Sequence, residues 1–375
     1  MKKLIAVLFI AVFLLAACAP AAAPATQAPA AGAADACSKE ALTAAGAPAD
    51  LVGRATPIKI AIVRNLPSDD HTKQFLDGGR KMGESLGFVV DTFIADNDDA
   101  KFQELVAQAI EKGYDGLVIS HGKKDYSYDM LKPAVDKGIL VVTFDTVIDK
   151  DGATLPTITT TFQDDFKLAE LSLTEIAALN KPAKIIKLWW GPGVPPLDRR
   201  ETIYKKMQDA GTLQTLETVG PSNFQDVQGD IAAKVGALLA KYPEGSVDAI
   251  WGSWDEMAKG AYKALKDAGR TDIKLISIDV SNQDMNLMRE PGSVWLSTAA
   301  VDPGLIGMVD MRLLAKKFAK EEVPANYDLE AKLIKATDLK ADTTMLTLKD
   351  VIPGWGKSDA FLEPWMVKMG ECNVK

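Results

Sequence analysis

IKIAIV, residues 58–63, is apolar except for Lys59, and it runs straight into RNLPSDDH, residues 64–71. A short apolar run that ends in turn-forming residues reads as a strand buried on both faces. Working outward, residues 70–86 read as a helix with Phe75, Gly79, Met82 and Leu86 on one face, and 88–95 (FVVDTFIA) as a second strand. In 99–112, Phe102, Leu105, Val106, Ala109 and Ile110 recur at helical spacing, and Gly113 stands where a helix ends. Residues 117–120 are a third strand, 130–137 a helix and 139–144 (ILVVTF) a fourth strand. Strands that are apolar throughout and joined through helices predict a parallel sheet covered on both faces.

The pattern then begins again. Strands are expected at 184–190, 213–219, 248–252, 273–279 and 294–298, with helices at 200–210, 226–242 and 255–268. Residues 157–161 read as the crossover between the two halves, 303–320 as a helix and 327–336 as a strand. The fold class is therefore α/β, with two Rossmann-like lobes of parallel strands. A chain of 375 residues is long enough for two cores.

The formal charge is −8, and near −10 once Lys2 and Lys3 are removed with residues 1–17. That balance argues against nucleic acid as a partner. The N-terminus reads as an export signal: Met1, Lys2 and Lys3 precede an apolar run at 4–15 that is shorter than the roughly 20 residues a spanning helix needs. Leu15-Ala16-Ala17-Cys18 closes it in the manner of a bacterial lipobox, which makes Cys18 the expected lipidation site. Residues 18–36, rich in Ala and Pro, read as a tether between anchor and body. Cys37 and Cys372 are left as a possible disulfide, permitted in an exported chain, or as two free thiols.

In open parallel sheets ligands bind beyond the carboxyl ends of the strands. After the first strand come Arg64, Asn65, Asp69, Asp70 and His71; His121 follows the third and Asp145 the fourth. In the second half Trp190, Gly191, Arg199 and Arg200 follow one strand, Trp254 and Asp255 another, and Asp279 a third. Charged groups beside indoles suit a polyol: the former bond hydroxyls, the latter cover C–H faces. Trp189 and Trp251 fall inside strands and read as core; Asp69 and Asp255 also fit helix caps. No Walker loop, GxSxG elbow or complete dinucleotide loop is present, and only two histidines are available, so no enzyme chemistry and no cofactor are expected. Asp69, Asp70, His71 and His121 do not have the spacing of a known metal site.

These residues resemble the periplasmic sugar-binding proteins of the ribose- and galactose-binding type, which share a fold with the ligand domain of LacI-type repressors. Residues 254–261 (WDEMAKGA) are similar to that family's NDEMAxGA stretch, and Thr143-Phe144-Asp145 to the strand end that carries a binding aspartate. Asp198-Arg199-Arg200 is similar to the RERxxGF region, which puts the binding arginine at Arg200, and Ile278-Asp279 resembles the FDG site. The likeness covers residues 57–336. It departs at Trp254, where the family often has Asn, at Thr146 in place of an arginine, at 68–71 in place of an aromatic loop, and near Ala299 or Ala300 in place of a glutamine.

The resemblance implies a type I periplasmic binding protein with three hinge crossovers. Its lobes are expected at 57–158 with 300–322 and at 159–299 with 323–338, followed by a C-terminal extension at 339–375. It implies a monomeric, lipid-anchored receptor that hands a monosaccharide to an ABC permease. Asp69, Asp70, His71, Asp145, Trp190, Arg200, Trp254 and Asp279 are the expected ligand residues. Rival readings are a sensory receptor, a binder of a non-sugar metabolite, a transcriptional regulator, which the export signal disfavours, and a sugar-converting enzyme.

Overall fold

A computed structural model of the protein describes residues 36–373. The expected signal segment, Cys18 and all but the last residue of the tether lie outside the described residues. The chain opens with α1 (Lys39–Ala44) and continues as β1 (Lys59–Arg64), α2 (Asp70–Ser85), β2 (Val89–Ile94), α3 (Asp99–Glu111), β3 (Gly116–Ser120), α4 (Lys124–Asp136), β4 (Leu140–Phe144) and β5 (Thr159–Gln163). Next come α5 (Asp165–Ala177), β6 (Ala183–Leu188), α6 (Pro195–Asp209), β7 (Leu213–Val219), α7 (Val227–Lys241), β8 (Ala249–Gly252), α8 (Asp255–Asp267), β9 (Lys274–Ile278), α9 (Asn282–Met288) and β10 (Trp295–Ala300). The last elements are α10 (Pro303–Phe318), β11 (Asn326–Leu329), β12 (Lys332–Lys335) and α11 (Pro364–Asn373).

These strands form two six-stranded sheets, ordered β11-β5-β4-β3-β1-β2 and β12-β10-β9-β8-β6-β7. All pairings are parallel except β12 on β10. The chain passes between lobes at β5–α5, β10–α10 and β11–β12, because α5 packs on β8, β9, β10 and β12 while α10 packs on α2, β3 and β4. The two lobes are those the alternating pattern implies, and the three crossovers are those the family resemblance implies.

Local differences from the sequence reading have simple causes. Residues 159–163 form β5 of the first sheet, so the chain changes lobe after Gln163 and not within 157–161. The segment 327–336, read as one strand, is two: β11 completes the first sheet, Glu330 and Ala331 turn the corner, and β12 joins the second. β6 stops at Leu188, and α6 begins at Pro195, five residues before the expected start.

Helices α2 and α10 touch backbone to backbone. A Cβ on Gly78 would lie 2.0 Å from Gly304 O, and one on Gly307 2.1 Å from Phe75 O, so only glycine admits this approach. Beyond residue 338 the chain runs back along the crossovers. Arg289 Nη1 donates to Lys340 O at 2.6 Å and Thr343 O at 2.7 Å, tying the extension to the second lobe. Met345, Leu348, Ile352 and Trp355 then pack with Val280, Met285, Ala300 and Ile334. Arg312 of α10 holds Ser358 O and Ala360 O, and Trp365, Met366 and Met369 of α11 enter the core with α2. Cys372 closes the path in a disulfide with Cys37.

Candidate functional site

The carboxyl ends of the two sheets face one another, and the strand ends deliver the polar groups. His121, Asp145 and Asp279 have φ values of 66°, 42° and 73°, in the left-handed region. Each still donates its backbone N–H to the neighbouring strand, at 3.0 Å to Phe144 O, 3.0 Å to Thr161 O and 2.8 Å to Ala299 O. The chain therefore keeps the sheet ladder to the last residue and then turns sharply. Holding non-glycine residues there costs about 1–3 kcal/mol each, a strain characteristic of ligand clamps.

At the centre lies a carboxylate–guanidinium cluster. Asp165, the first residue of α5, is fully buried and accepts from Arg200 Nε at 2.7 Å, Arg199 Nε at 2.9 Å and Arg199 Nη2 at 2.6 Å. Arg199 Nη2 also reaches Asp145 Oδ1 of the other lobe at 3.0 Å, and its guanidinium lies 4.8 Å from the Phe162 ring centroid. Arg200 Nη1 donates to Ser253 O at 2.6 Å and to Asp279 Oδ2 at 3.1 Å. Burial works to lower the pKa of Arg200, but Asp279 and Asp165 outweigh it and hold it above the usual range. Burial, reinforced by Asp165, pushes the Asp145 carboxyl up to about 7 against the pull of Arg199 and Arg200. Asp279 is likewise raised by burial, and its backbone is fixed by Thr298 Oγ1 donating to Asp279 O at 2.6 Å.

In the first lobe the cluster centres on Arg64, fully buried and lying over the Phe75 ring. It bonds Thr72 Oγ1 at 3.0 Å, Ser120 Oγ at 2.9 Å and His71 Nδ1 at 2.7 Å. Burial lowers its pKa to about 10. The pKa values of His71 and His121 fall well below the ordinary imidazole value, by burial and then by Arg64, so both rings are neutral at pH 7. Asp310 of α10, also fully buried, accepts Thr161 Oγ1 at 2.6 Å and is pushed up to about 8 by burial.

The opposite wall is aromatic. Trp190 is 38% exposed and Phe224 51% exposed, with ring centroids 4.6 Å apart; Trp254 lies 6.2 Å from Trp190. All three follow the carboxyl ends of strands β6, β7 and β8.

Of the residues singled out in the sequence, Asp145, Arg200 and Asp279 fall in one cluster, Trp190 and Trp254 in the aromatic wall, and His71 beside Arg64. Asp69 caps α2, its Oδ1 accepting Thr72 N at 2.7 Å, and Asp70 reaches Asn282 across the cleft. Trp251 is core, as read, whereas Trp189 is only partly buried. Asp255 does not cap α8: Trp254 holds the cap position without a side-chain bond, and Asp255 pairs with buried Lys259 at 3.0 Å. Arg199, one of the residues noted after β6, is the arginine that reaches across the cleft. Sequence reasoning missed Asp165, Phe224 and Gln163. Gln163 lies beside Asp279 on the first crossover strand, while Ala299 and Ala300, where a hinge glutamine was sought, are buried in β10. A polar residue next to a crossover was the available signal.

Comparison with known proteins agrees with this architecture. The ribose import binding protein RbsB of Escherichia coli (strain K12) is 25% identical over 275 residues, covering 73% of this chain and 90% of that protein. The crystal structure of a sugar ABC transporter from Yersinia enterocolitica subsp. enterocolitica 8081 is 47% identical and covers 87% of this chain and 98% of its own, with a TM-score of 0.76. The 5-methylthioribose transporter solute binding protein from Thermotoga lettingae TMO, solved in complex with 5-methylthioribose, is 26% identical, covering 84% and 99% of the two chains with a TM-score of 0.73. Residues 60–322 match the profile of the periplasmic binding protein domain, and the chain belongs to that family.

Proposed function

We propose that this protein is an extracytoplasmic solute-binding receptor, not an enzyme, that captures a small hydroxylated ligand between its lobes and delivers it to an ABC-type permease. The closing lobes are those expected from the sequence, with β5 and β11 counted in the first. Cys18 would carry the lipid anchor and residues 18–36 the tether, and the receptor would act as a monomer.

One observation carries the ligand class. Asn65 Oδ1, Asp145 Oδ2 and Gln163 Oε1 are buried acceptors without a donor, at the ends of β1, β4 and β5. Leaving such an atom unpaired costs about 1–3 kcal/mol. Ligand hydroxyls supply donors; an ionised carboxylate does not, and would meet Asp145 as a like charge. In this reading Asp145 and Asp279 receive hydroxyls, Arg199 and Arg200 donate or hold the carboxylates, and Trp190 and Trp254 cover the C–H face. Asp70 and His71 border the site, and Asp69 acts by fixing the start of α2. A pentose with a short apolar substituent is a second reading. The aromatic wall favours it, as does the Thermotoga relative in complex with 5-methylthioribose.

The test is a thermal-shift screen of residues 36–375 against pentoses, hexoses, alditols, 5-methylthioribose and sugar acids. Ligand at 100 times Kd adds about 2.7 kcal/mol of stability. A saturable shift with a neutral polyol, recovered chemically unchanged, supports the proposal. A shift with sugar acids alone, or conversion of the ligand, overturns it.

A further inference from the structure

We propose that Asn282 is a positioning residue for ligand capture: it latches the lobes together, and the C-terminal segment fixes the polarity of that latch. The proposal rests on the two-lobe receptor reading. Asn282 opens α9 in the second lobe, and its Nδ2 donates to Asp70 Oδ2 of the first lobe at 2.6 Å. Its Oδ1 accepts the backbone N–H of Met345 at 2.9 Å. A backbone N–H only donates, so Met345 dictates which end of the amide is oxygen and leaves the N–H₂ for the carboxylate. Without Met345 the amide is free to flip and set an oxygen against Asp70.

Met345 is itself held. It is 3% exposed and packs with Leu348, Ile352 and Trp355. The segment then crosses to α10 through Arg312 and ends on α11, which the Cys37–Cys372 disulfide joins to the start of the first lobe. Asn282 is thus held between Asp70 of the first lobe and Met345 of a segment that spans the lobes, tied to the second by Arg289 and to the first by Arg312 and the disulfide. A contact made only in the closed form biases the free protein toward closure, and the observed ligand affinity rises with the closed fraction.

The test needs no ligand. Residues 36–373 contain the hydrophobic core of both lobes and both bonded cysteines, so the soluble span from Ala36 serves. Spin labels at K124C and Q225C, exposed on the two rims, report lobe separation by pulsed dipolar spectroscopy. N282D keeps the Met345 bond but faces Asp70 with a like charge. It should lower the closed population roughly tenfold or more. Adding D70N to N282D restores a donor–acceptor pair and should return the wild-type distance. Cutting a protease site inserted between Gly356 and Lys357, with the disulfide intact, should lengthen the distance as N282D does. An unchanged distance in N282D, no rescue by D70N, or no effect of the cut each overturns the proposal. Failure of the sugar screen with these three results intact would remove the ligand reading and leave the latch.

Discussion

Replacing Asp165 with asparagine tests the central cluster most directly. The carboxylate has no exposed surface, and three N–H groups from Arg199 and Arg200 converge on it at 2.6–2.9 Å. Bonds to charged groups contribute about 1.5–3 kcal/mol each. Asparagine is nearly isosteric, but its oxygen replaces only one of the two acceptors and its amide N–H₂ points at a guanidinium. Arg200 is 2% exposed, so its charge stays buried with Asp279 and Asp145 as the remaining counter-charges, the latter weakened by a carboxyl pKa that burial raises. Removing one member of a buried ion pair costs about 3–5 kcal/mol. At a urea dependence of about 1–3 kcal/mol per molar, the unfolding midpoint should fall by at least about 1 M. Tryptophan fluorescence reports the transition, since Trp251 is buried in the second lobe. A loss under about 1 kcal/mol would refute the reasoning, because it would mean that Asp145 and Asp279 neutralise both arginines without Asp165.

Asp310 predicts a pH dependence: its folded pKa of about 8 lies above the ordinary 3.8, so between those values the folded state holds a proton that the unfolded state has released. Its contribution to stability therefore falls as pH rises from about 4 to 8, and D310N should flatten urea midpoints measured across that range. G307A should cost about 1–3 kcal/mol or more, because its Cβ meets Phe75 O at 2.1 Å and backbone cannot yield as a side chain does; thermal melts of variant and parent decide it. C37S with C372S opens a loop of 335 residues and should cost about 2–4 kcal/mol, read as a lower urea midpoint that matches the reduced parent. W190A should leave the melting temperature within about 2 °C, since the side chain is 38% exposed, yet weaken binding of the best sugar in the screen by roughly tenfold, measured by calorimetry.

The strands that were easy to read are those buried on both faces: β1, β3, β4 and β9 are apolar runs because helices cover each side of the sheet. β5 escaped because its sequence, TTTFQ, is polar; its threonines are satisfied by specific partners such as Pro324 O and Asp310, which no periodicity reveals. β11 and β12 looked continuous because alternation does not stop where a chain changes sheet. For the site, Asp145 and Asp279 stood out as charges that end apolar strands. Arg199 and Arg200 are adjacent on a helix, about 100° apart in direction, and only the docking of α6 against α5 decides which one is enclosed and which one spans the cleft. Asp165 was hidden because it opens a helix that went unread, although Asp164 caps it in the ordinary way, accepting Lys167 N at 2.9 Å.

The glycine contact between α2 and α10 bears on the order in which the molecule is made. α2 lies at residues 70–85, and the helix that completes its packing arrives at 303–318, after nearly the whole second sheet has been synthesised. Until then α2 covers only the β1–β2 side of that face of the first sheet, and β3 and β4, with Phe144 against Phe75, lack the helix that closes over them. A chain that emerges from its N-terminus can assemble β6 to β10 with α5 to α9 from contiguous sequence, so the second lobe is positioned to fold first although it comes second. The first lobe must wait, apolar and incomplete, through more than 150 residues of growth, which makes it the half most exposed to aggregation and most in need of a chaperone during synthesis.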